Sequence, residues 1–172
     1  MQNFLILILL ITLFQPSCKS KISVVGQEIE SNANQISTNN MDTFQIQKSE
    51  EEWLAQLGPE RFTVLREKGT ERPFTGSLLH VNEKGIYSCA ACGVDLFHSD
   101  MKFDAHCGWP SFDNEIPGSI IQKEDRSHGM IRIEILCKQC GGHLGHIFDD
   151  GPTETGLRYC VNSLSLEFKK AE

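Results

Sequence analysis

Hydrophobic and polar positions divide the chain into three stretches of different pattern. Residues 2–17 carry no charge, and residues 4–14 are apolar except for Thr12. Residues 18–47 are rich in Ser, Asn and Gln and have no sustained hydrophobic period, which is typical of a flexible polar linker. Residues 48–170 contain short periodic segments separated by turn signals, and this pattern predicts one folded domain.

The residue pattern in the first part of that domain predicts two short helices. Ser49 and Glu52 form a capping-box pair, and Trp53 lies on the apolar face of the helix that follows them. A second helix is predicted to begin at Pro59 and to stop at Gly69.

Beyond residue 69 the helical period disappears, and the segments become rich in β-branched and aromatic residues. Ile131, Ile133 and Ile135 alternate with polar residues, as expected of a half-buried strand. Near Ser163 the apolar positions shift by one residue, which predicts a bulge or a change of sheet. The domain is therefore predicted to be mainly β.

Composition and charge exclude several classes of protein. The chain is 40% hydrophobic and 23% charged, as in ordinary globular proteins. Its 16 basic and 23 acidic residues give a net charge of −7, and no basic run is present, so nucleic acid is not an expected partner. The apolar run of residues 4–14 is shorter than the ~20 residues that a membrane-spanning helix needs.

The same run has the length of the hydrophobic region of a signal peptide, so residues 1–17 are predicted to direct export. Cys18 follows a small residue just beyond the run, and this position resembles the site at which bacterial lipoproteins are cleaved and lipidated. A soluble secreted protein is the alternative. The predicted location is the periplasm or cell envelope, with a lipid anchor in the membrane if Cys18 is acylated.

Two motifs of the form Cys-x-x-Cys-Gly supply the first candidate site. They contain Cys89 and Cys92, and Cys137 and Cys140, with 44 residues between the motifs. Four thiolates are a ligand set that structural Zn²⁺ prefers, so the motifs predict a zinc site that clips two distant hairpins together. Two redox dithiols or two local disulfides are the alternatives, but a redox Cys-x-x-Cys normally opens a helix in a βαβ unit, which neither copy does.

Outside these motifs and Cys18, two cysteines remain: Cys107 on a turn and Cys160 in a predicted strand. Arg158 and Asn162 share a strand face with Cys160. A thiol between a cation and an amide donor is expected to ionise easily and to act as a nucleophile. The alternative is that Cys160 is a small buried hydrophobe.

Further polar and aromatic residues accompany these thiols. His143, His146 and Asp150 lie on a Gly-rich segment after the second Cys motif, and imidazole exchanges protons near neutral pH. Trp109 and Phe112 are predicted to wall an apolar pocket, with a tight turn and core aromatics as the alternative.

From about residue 49 to residue 169 the chain resembles the type B methionine sulfoxide reductases, which reduce the R epimer of methionine sulfoxide. The stretches that carry the resemblance include Cys107-GWPSF, Asp125-RSHGM, Cys137-KQCGGHLGHIFDDGP and Gly156-LRYCVNSLSLEF. The resemblance implies two antiparallel sheets that form a small open barrel, with short helices outside. The departure from the family pattern is Ala105 and His106, where relatives usually carry Ser-Gly.

The resemblance also assigns roles. It implies that Cys160 attacks the sulfoxide and becomes a sulfenic acid, that Cys107 closes a disulfide with it, and that a thioredoxin-like dithiol restores both thiols. It implies that Trp109 contacts the methyl group. The implied polar groups of the site are His143, His146 and Asn162, and the implied zinc ligands are Cys89, Cys92, Cys137 and Cys140.

We therefore expect a monomeric zinc-containing reductase whose substrates are oxidised proteins. Two other classes compete with this prediction. A non-catalytic zinc module that binds a partner protein accounts for the two Cys motifs but not for Cys107, Cys160 or the histidines. A general thiol–disulfide oxidoreductase normally has a Cys-x-x-Cys at a helix start, and the chain lacks one.

Overall fold

The computed structural model describes residues 44–172, so the predicted signal peptide, Cys18 and most of the predicted linker lie outside the described residues. In the described part, one helix, α1 (Glu50–Leu65), precedes nine strands. No helix in residues 44–172 is both long enough and apolar enough to cross a membrane.

The nine strands form two antiparallel sheets that do not close into a barrel. The three-stranded sheet has the order β2-β1-β9, and the six-stranded sheet has the order β3-β4-β8-β7-β6-β5. The strands are β1 (Gly85–Cys89), β2 (Asp95–His98), β3 (Lys102–Phe103), β4 (Ser111–Phe112), β5 (Ile120–Asp125), β6 (Arg132–Cys137), β7 (His143–Phe148), β8 (Arg158–Val161) and β9 (Leu166–Lys170). The prediction of a mainly β fold with two antiparallel sheets is confirmed.

The predicted capping box starts α1. The Ser49 hydroxyl accepts a hydrogen bond from the Glu52 N–H at 3.2 Å, and the Glu52 carboxylate accepts one from the Ser49 N–H at 2.8 Å. The two predicted helices are the two halves of α1, which kinks at Gly58, where φ is 72° and only glycine is unstrained. The helix ends at Leu65, before the predicted stop at Gly69.

Residues 44–47, which the composition assigned to the linker, contact the domain. The Ile46 N–H donates to the Gln139 carbonyl at 2.9 Å, and the Phe44 ring fills the space where a Cβ on Gly141 would lie. The folded part of the chain therefore includes the last residues of the predicted linker.

The C-terminal segment changes sheets as predicted near Ser163. β8 belongs to the six-stranded sheet, a 3-10 turn covers Ser163–Ser165, and β9 then pairs with β1 in the other sheet. The buried Glu71 carboxylate accepts hydrogen bonds from the N–H groups of Ser163 and Leu164 at 2.6 and 2.9 Å, which holds this turn in place. The turn thus follows directly on the strand that carries Cys160.

Burial of the side chains along β6 does not alternate as regularly as the isoleucine pattern predicts. Ile135 is fully buried, but Ile133 is partly exposed and Ile131 is exposed, whereas Glu134 on the opposite face is buried. The reason is that this opposite face carries a polar network, in which Glu134 lies 2.7 Å from both His143 and Lys68.

The core between the sheets is built largely from aromatic side chains. Phe112 of β4 stacks on Phe97 of β2 with ring centroids 4.2 Å apart and meets the edge of Tyr87 of β1 at 5.0 Å. Phe112 therefore joins the two sheets and is completely buried.

Candidate active site and metal site

The four cysteines of the two Cys-x-x-Cys motifs meet at one point. All four Sγ atoms lie within 4.8 Å of one another, and the closest pairs are Cys89 with Cys140 at 3.7 Å and Cys92 with Cys137 at 3.5 Å. A tetrahedral zinc ion with Zn–S bonds of ~2.3 Å places its sulfurs about 3.8 Å apart. The four thiols form a site that fits structural zinc.

Each motif is a tight turn at the end of a strand. Gly93 and Gly141 have φ values of 78° and 71°, and their N–H groups donate to the carbonyls of Cys89 and Cys137. One turn follows β1 and the other follows β6, so the site joins the two sheets, as the predicted clip between distant hairpins requires. Helix α1 is tied to both turns, because Gln56 donates to the Ala91 carbonyl and Arg66 to the Cys140 carbonyl.

The two remaining described cysteines face each other. The Sγ atoms of Cys107 and Cys160 lie 3.8 Å apart, in contact but well beyond the ~2.05 Å of a disulfide bond. Cys160 is opposite His146 of β7 on one side and Ser111 of β4 on the other. Cys107 also lies 3.5 Å from the Ser111 hydroxyl.

A hydrogen bond between the two thiols shifts their pKa values in opposite directions. The hydrogen bond from Cys160 lowers the pKa of Cys107 to about 5. The same hydrogen bond, followed by burial, raises the pKa of Cys160 well above its usual range. Arg158 lowers the pKa of Cys160 as predicted, but this smaller effect is outweighed. The two thiols therefore share one hydrogen bond, which favours ionisation of one thiol while the other keeps its proton.

A cavity of about 110 Å³ opens beside Cys160, and Cys107 is not among the described residues that line it. Trp109 lines the cavity, held by a hydrogen bond of 3.1 Å from its indole N–H to the Glu71 carbonyl. The other main side chains of the wall are Thr70, Arg132, His146, Phe148 and Asn162. A hollow of this size accepts the end of one side chain.

Phe112, predicted as a second pocket aromatic, lies in the core instead, and Phe148 takes that place on the cavity wall. The Arg158 guanidinium lies 4.4 Å from the centre of the Phe148 ring. The sequence contained a usable signal for Phe148, because it lies two positions after His146 in one strand and therefore shares its face.

His146 is oriented by a carboxylate that the sequence analysis gave no role. Its Nε2 lies 2.9 Å from Asp125 Oδ2, which also accepts a hydrogen bond from Arg132 at 2.7 Å. Hydrogen bonds from Ser127 and then from His146 hold the pKa of Asp125 far below its usual range. Burial lowers the pKa of His146, and Asp125 opposes that effect. The Asp125 contact leaves Nδ1 as the imidazole nitrogen without a hydrogen-bond partner in the described chain.

His143 is buried behind this group and is not among the described residues that line the cavity. Its Nδ1 lies 2.7 Å from Glu134 Oε1, and its ring centroid is 5.6 Å from that of His146. Burial opposes ionisation of Glu134, but hydrogen bonds with His143 and Lys68 hold its pKa below the usual value. His143 Nε2 is buried without a hydrogen-bond partner in the described structure.

Asn162 lines the cavity, but both polar atoms of its side-chain amide make hydrogen bonds to the backbone. Its Nδ2 donates to the Leu144 carbonyl and its Oδ1 accepts from the Glu71 N–H, each at 3.1 Å. The side chain therefore ties together the segments around Cys160.

Asp150 and Arg158 form a two-point ion pair at the edge of the thiol site, with N–O distances of 2.7 and 2.8 Å. Hydrogen bonding from Arg158 lowers the pKa of Asp150, so the pair stays ionised at neutral pH. Asp150 thus fixes the guanidinium whose charge lowers the pKa of both thiols.

Two thiols in contact, one of them on a small cavity next to the half-buried imidazole of His146, are the arrangement of a thiol-dependent oxidoreductase. The comparison with known families agrees with this class. The model of the SelR domain matches residues 57–170, and the chain belongs to the SelR family.

Curated relatives are similar over most of their length. The chain is 57% identical over 128 residues to the peptide methionine sulfoxide reductase MsrB of Methanosarcina barkeri, covering 74% of this chain and 90% of that protein. It is 54% identical over 128 residues to the MsrB of Leptospira interrogans, covering 74% of this chain and 98% of the relative. It is 57% identical over 129 residues to the MsrB of Chromohalobacter salexigens, covering 74% of this chain and 97% of that protein.

Proposed function

We propose that the chain is a peptide-methionine (R)-S-oxide reductase that uses Cys160 as its nucleophile. The observation that carries the proposal is the position of Cys160 on the cavity wall with a second thiol 3.8 Å behind it. Membership in the SelR family and the names of the curated relatives support the reaction class.

The first step is attack on sulfur. The proton of Cys160 moves to the Cys107 thiolate, and the Cys160 thiolate attacks the sulfoxide sulfur while His146 supplies a proton to the oxygen. The oxygen is transferred to Cys160, so that the products are methionine and a Cys160 sulfenic acid. The sulfoxide gains two electrons and the Cys160 sulfur loses two.

Stereochemistry follows from the two unlike walls of the cavity. Trp109 and Phe148 offer apolar contacts to the methyl group, and His146 offers a proton to the oxygen. Because the sulfur is chiral, only one epimer places both groups correctly while it faces Cys160.

The second step restores the enzyme. The Cys107 thiol, which took the proton of Cys160 in the first step, attacks the Cys160 sulfur and a disulfide forms, while the former sulfoxide oxygen leaves as water with that proton. A thioredoxin-like dithiol then reduces the disulfide by exchange and is itself oxidised. Zinc supplies a structural clip and takes no electrons in this cycle.

One assay separates the three candidate classes. The protein is incubated with racemic N-acetyl-methionine sulfoxide and a dithiol, and the epimers are separated by chiral chromatography. A reductase of this type consumes the R epimer and leaves the S epimer. A zinc interaction module and a general oxidoreductase both leave the two sulfoxide epimers, and a parallel incubation with a disulfide substrate separates these classes, because only the oxidoreductase reduces it.

We also propose that residues 1–17 direct export and that lipid on Cys18 anchors the domain, which places methionine repair outside the cytoplasm. Stable anchoring takes more than one acyl chain, as bacterial lipoproteins carry on their N-terminal cysteine. Fractionation of a bacterial host that expresses the whole chain tests this proposal. Wild type is expected in the membrane fraction and a Cys18→Ala variant in the soluble fraction. If the wild-type protein were soluble and carried no lipid, the lipid anchor would be wrong and secretion as a soluble protein would be the remaining explanation.

A further inference from the structure

We propose that Arg132 binds the main chain of the substrate by donating a hydrogen bond to a peptide carbonyl next to the methionine sulfoxide side chain. Arg132 lines the cavity beside Cys160, and the sequence analysis gave it no role. This inference rests on the proposed reductase function and adds to it the feature that distinguishes methionine sulfoxide within a polypeptide from a small free sulfoxide.

Arg132 lies on the same face of the six-stranded sheet as the reacting thiol. Glu134 of β6 pairs with His146 of β7, and His146 pairs with Cys160 of β8, so these three side chains share one face. Arg132 lies two positions before Glu134 in β6 and therefore belongs to the same face.

The position of Arg132 along its strand fits the length of a methionine side chain. Two residues of a strand span about 7 Å, so Arg132 lies about that far along the sheet from the row that contains His146 and Cys160. Three bonds separate the sulfur of methionine from its Cα. A sulfoxide sulfur at Cys160 therefore brings a main-chain carbonyl into the row of Arg132.

Along the strands, the cavity is closed at one end and open at the end where Arg132 lies. Asn162, two positions after Cys160, is only 3% exposed, whereas the Arg132 side chain is 24% exposed. Residues 126–131, which lead into Arg132, are all exposed. The main chain of a bound substrate thus leaves the cavity past Arg132.

The Arg132 guanidinium is held in place but keeps unused donors. Its Nη2 donates to Asp125 Oδ2 at 2.7 Å and to the Ser127 hydroxyl at 3.4 Å. No described residue accepts a hydrogen bond from Nη1 or Nε, and Nε is buried. A buried donor without a partner costs free energy, and a carbonyl oxygen supplied by the substrate offsets that cost.

Asp125 also fixes Arg132 relative to the proton donor. The same Oδ2 atom lies 2.9 Å from His146 Nε2, so one carboxylate oxygen holds both the guanidinium and the imidazole. A substrate held at its sulfoxide oxygen by His146 and at its carbonyl by Arg132 is oriented at both ends, which directs the sulfur towards Cys160. Because Asp125 already neutralises the guanidinium, a neutral carbonyl is a fitting acceptor.

Three substrates that differ only in their main-chain groups test the proposal. N-acetyl-methionine sulfoxide N-methylamide has a carbonyl on each side of Cα. N-acetyl-3-(methylsulfinyl)propylamine lacks the carbonyl on the C-terminal side, and 4-(methylsulfinyl)-N-methylbutanamide lacks the acetylamino group on the N-terminal side. A hydrogen bond from a charged donor corresponds to about 10- to 100-fold in affinity. Wild type should lose about that factor in kcat/KM, mainly through KM, with the shortened substrate that lacks the recognised carbonyl.

Arg132→Met should remove this preference, so that the full and the shortened substrate react at nearly equal rates. Loss of the Asp125 contact acts through His146 on all substrates alike, and the ratio between substrates therefore isolates the carbonyl contact. Arg132→Lys keeps a positive charge for Asp125 but lacks Nε and Nη1, so it should also lose the preference. It replaces Arg132→Met if that variant does not fold.

Arg126→Met is the matched control, because Arg126 is also ion-paired, with Glu124, but is 68% exposed and is not among the described residues that line the cavity. Its substrate ratios should equal those of wild type. Equal rates for full and shortened substrates in wild type would overturn the proposal. So would a wild-type ratio in a folded Arg132 variant, which would mean that Arg132 serves only Asp125 or the sulfoxide itself. Failure of the reductase function is distinct, since wild type would then reduce none of the three substrates.

Discussion

The sulfur atoms of Cys107 and Cys160 lie 3.8 Å apart although 53 positions separate them in the sequence. The pairing of β4 with β8 places Ser111 opposite Cys160, and the Cys107 loop precedes β4. Closing a disulfide from this position needs the sulfurs to approach by somewhat less than 2 Å. The loop that carries Cys107 therefore controls the second step of the proposed cycle.

Cys160→Ser should abolish turnover, because a serine hydroxyl is a much weaker nucleophile than a thiolate. The variant should keep its zinc and its melting temperature, since Cys160 lies outside the four-cysteine cluster. Activity is measured by methionine release, with metal analysis and thermal unfolding as controls. Substantial reductase activity in a zinc-replete Cys160→Ser variant would assign the nucleophile elsewhere.

Cys107→Ser separates attack from recycling. It should release about one methionine per enzyme and then stop with thioredoxin as reductant, because the sulfenic acid has no internal partner. It should also lower the pKa of Cys160, since the hydrogen bond with Cys107 is the largest cause of its rise. Alkylation rates of Cys160 against pH measure that change. Sustained thioredoxin-driven turnover would show that another thiol resolves the sulfenic acid.

The parts of the site that local spacing specifies could be predicted from the sequence. Two Cys-x-x-Cys-Gly motifs were sufficient to indicate the zinc site, and the shift of apolar positions near Ser163 was sufficient to indicate the change of sheet. Both signals depend on neighbouring residues, whose relative geometry is fixed by the backbone.

Contacts between distant segments could not be predicted in this way. Glu71 holds the turn after β8 from 92 positions away, and Asp125 reaches His146 from 21 positions away. The distribution of charge between Cys107 and Cys160 likewise depends on their separation in space. The motif quoted around Asp125 resembled the family, but only the strand pairing of Asp125 with Arg132 shows what the carboxylate contacts.

Loss of one zinc ligand should destabilise the whole domain, because the metal site joins the two sheets. Cys92→Ser or Cys140→Ser should lose zinc and lower the melting temperature by at least about 10 °C, since structural zinc contributes its binding free energy to folding. Cys107→Ser is the matched control, as it removes a thiol outside the cluster. If wild-type protein purified under reducing conditions were well folded but contained no zinc, this prediction would be contradicted.

Asp125→Asn should reduce kcat/KM by about 10- to 100-fold, because general acid catalysis contributes up to several orders of magnitude and Asp125 orients the proton donor. Asparagine keeps the size and an acceptor oxygen for His146 but loses the charge that raises its pKa. In the proposed mechanism protonated His146 is the active form, so the decline of activity at high pH should begin at a lower pH in the variant. A merely structural role for Asp125 would leave the pH profile in place.

The loop before Cys107 provides the last prediction, because His106 has a left-handed backbone with φ of 53°. That conformation costs a non-glycine residue about 1 kcal/mol. The loop is further fixed by a hydrogen bond of 2.9 Å from the His106 N–H to the Asp104 carboxylate.

His106→Gly should therefore speed disulfide formation after a single turnover by several-fold, since glycine lets the backbone around Cys107 move without strain. The rate is measured by quenching with an alkylating reagent and counting free thiols by mass spectrometry. Ala105→Gly is the control, because it adds flexibility one residue earlier, where the backbone is not left-handed. Methionine release in the first turnover should be the same in all three proteins, because the proposed mechanism assigns that step to Cys160. An unchanged or slower rate of disulfide formation in His106→Gly would mean that the left-handed residue does not limit the approach of the two sulfurs.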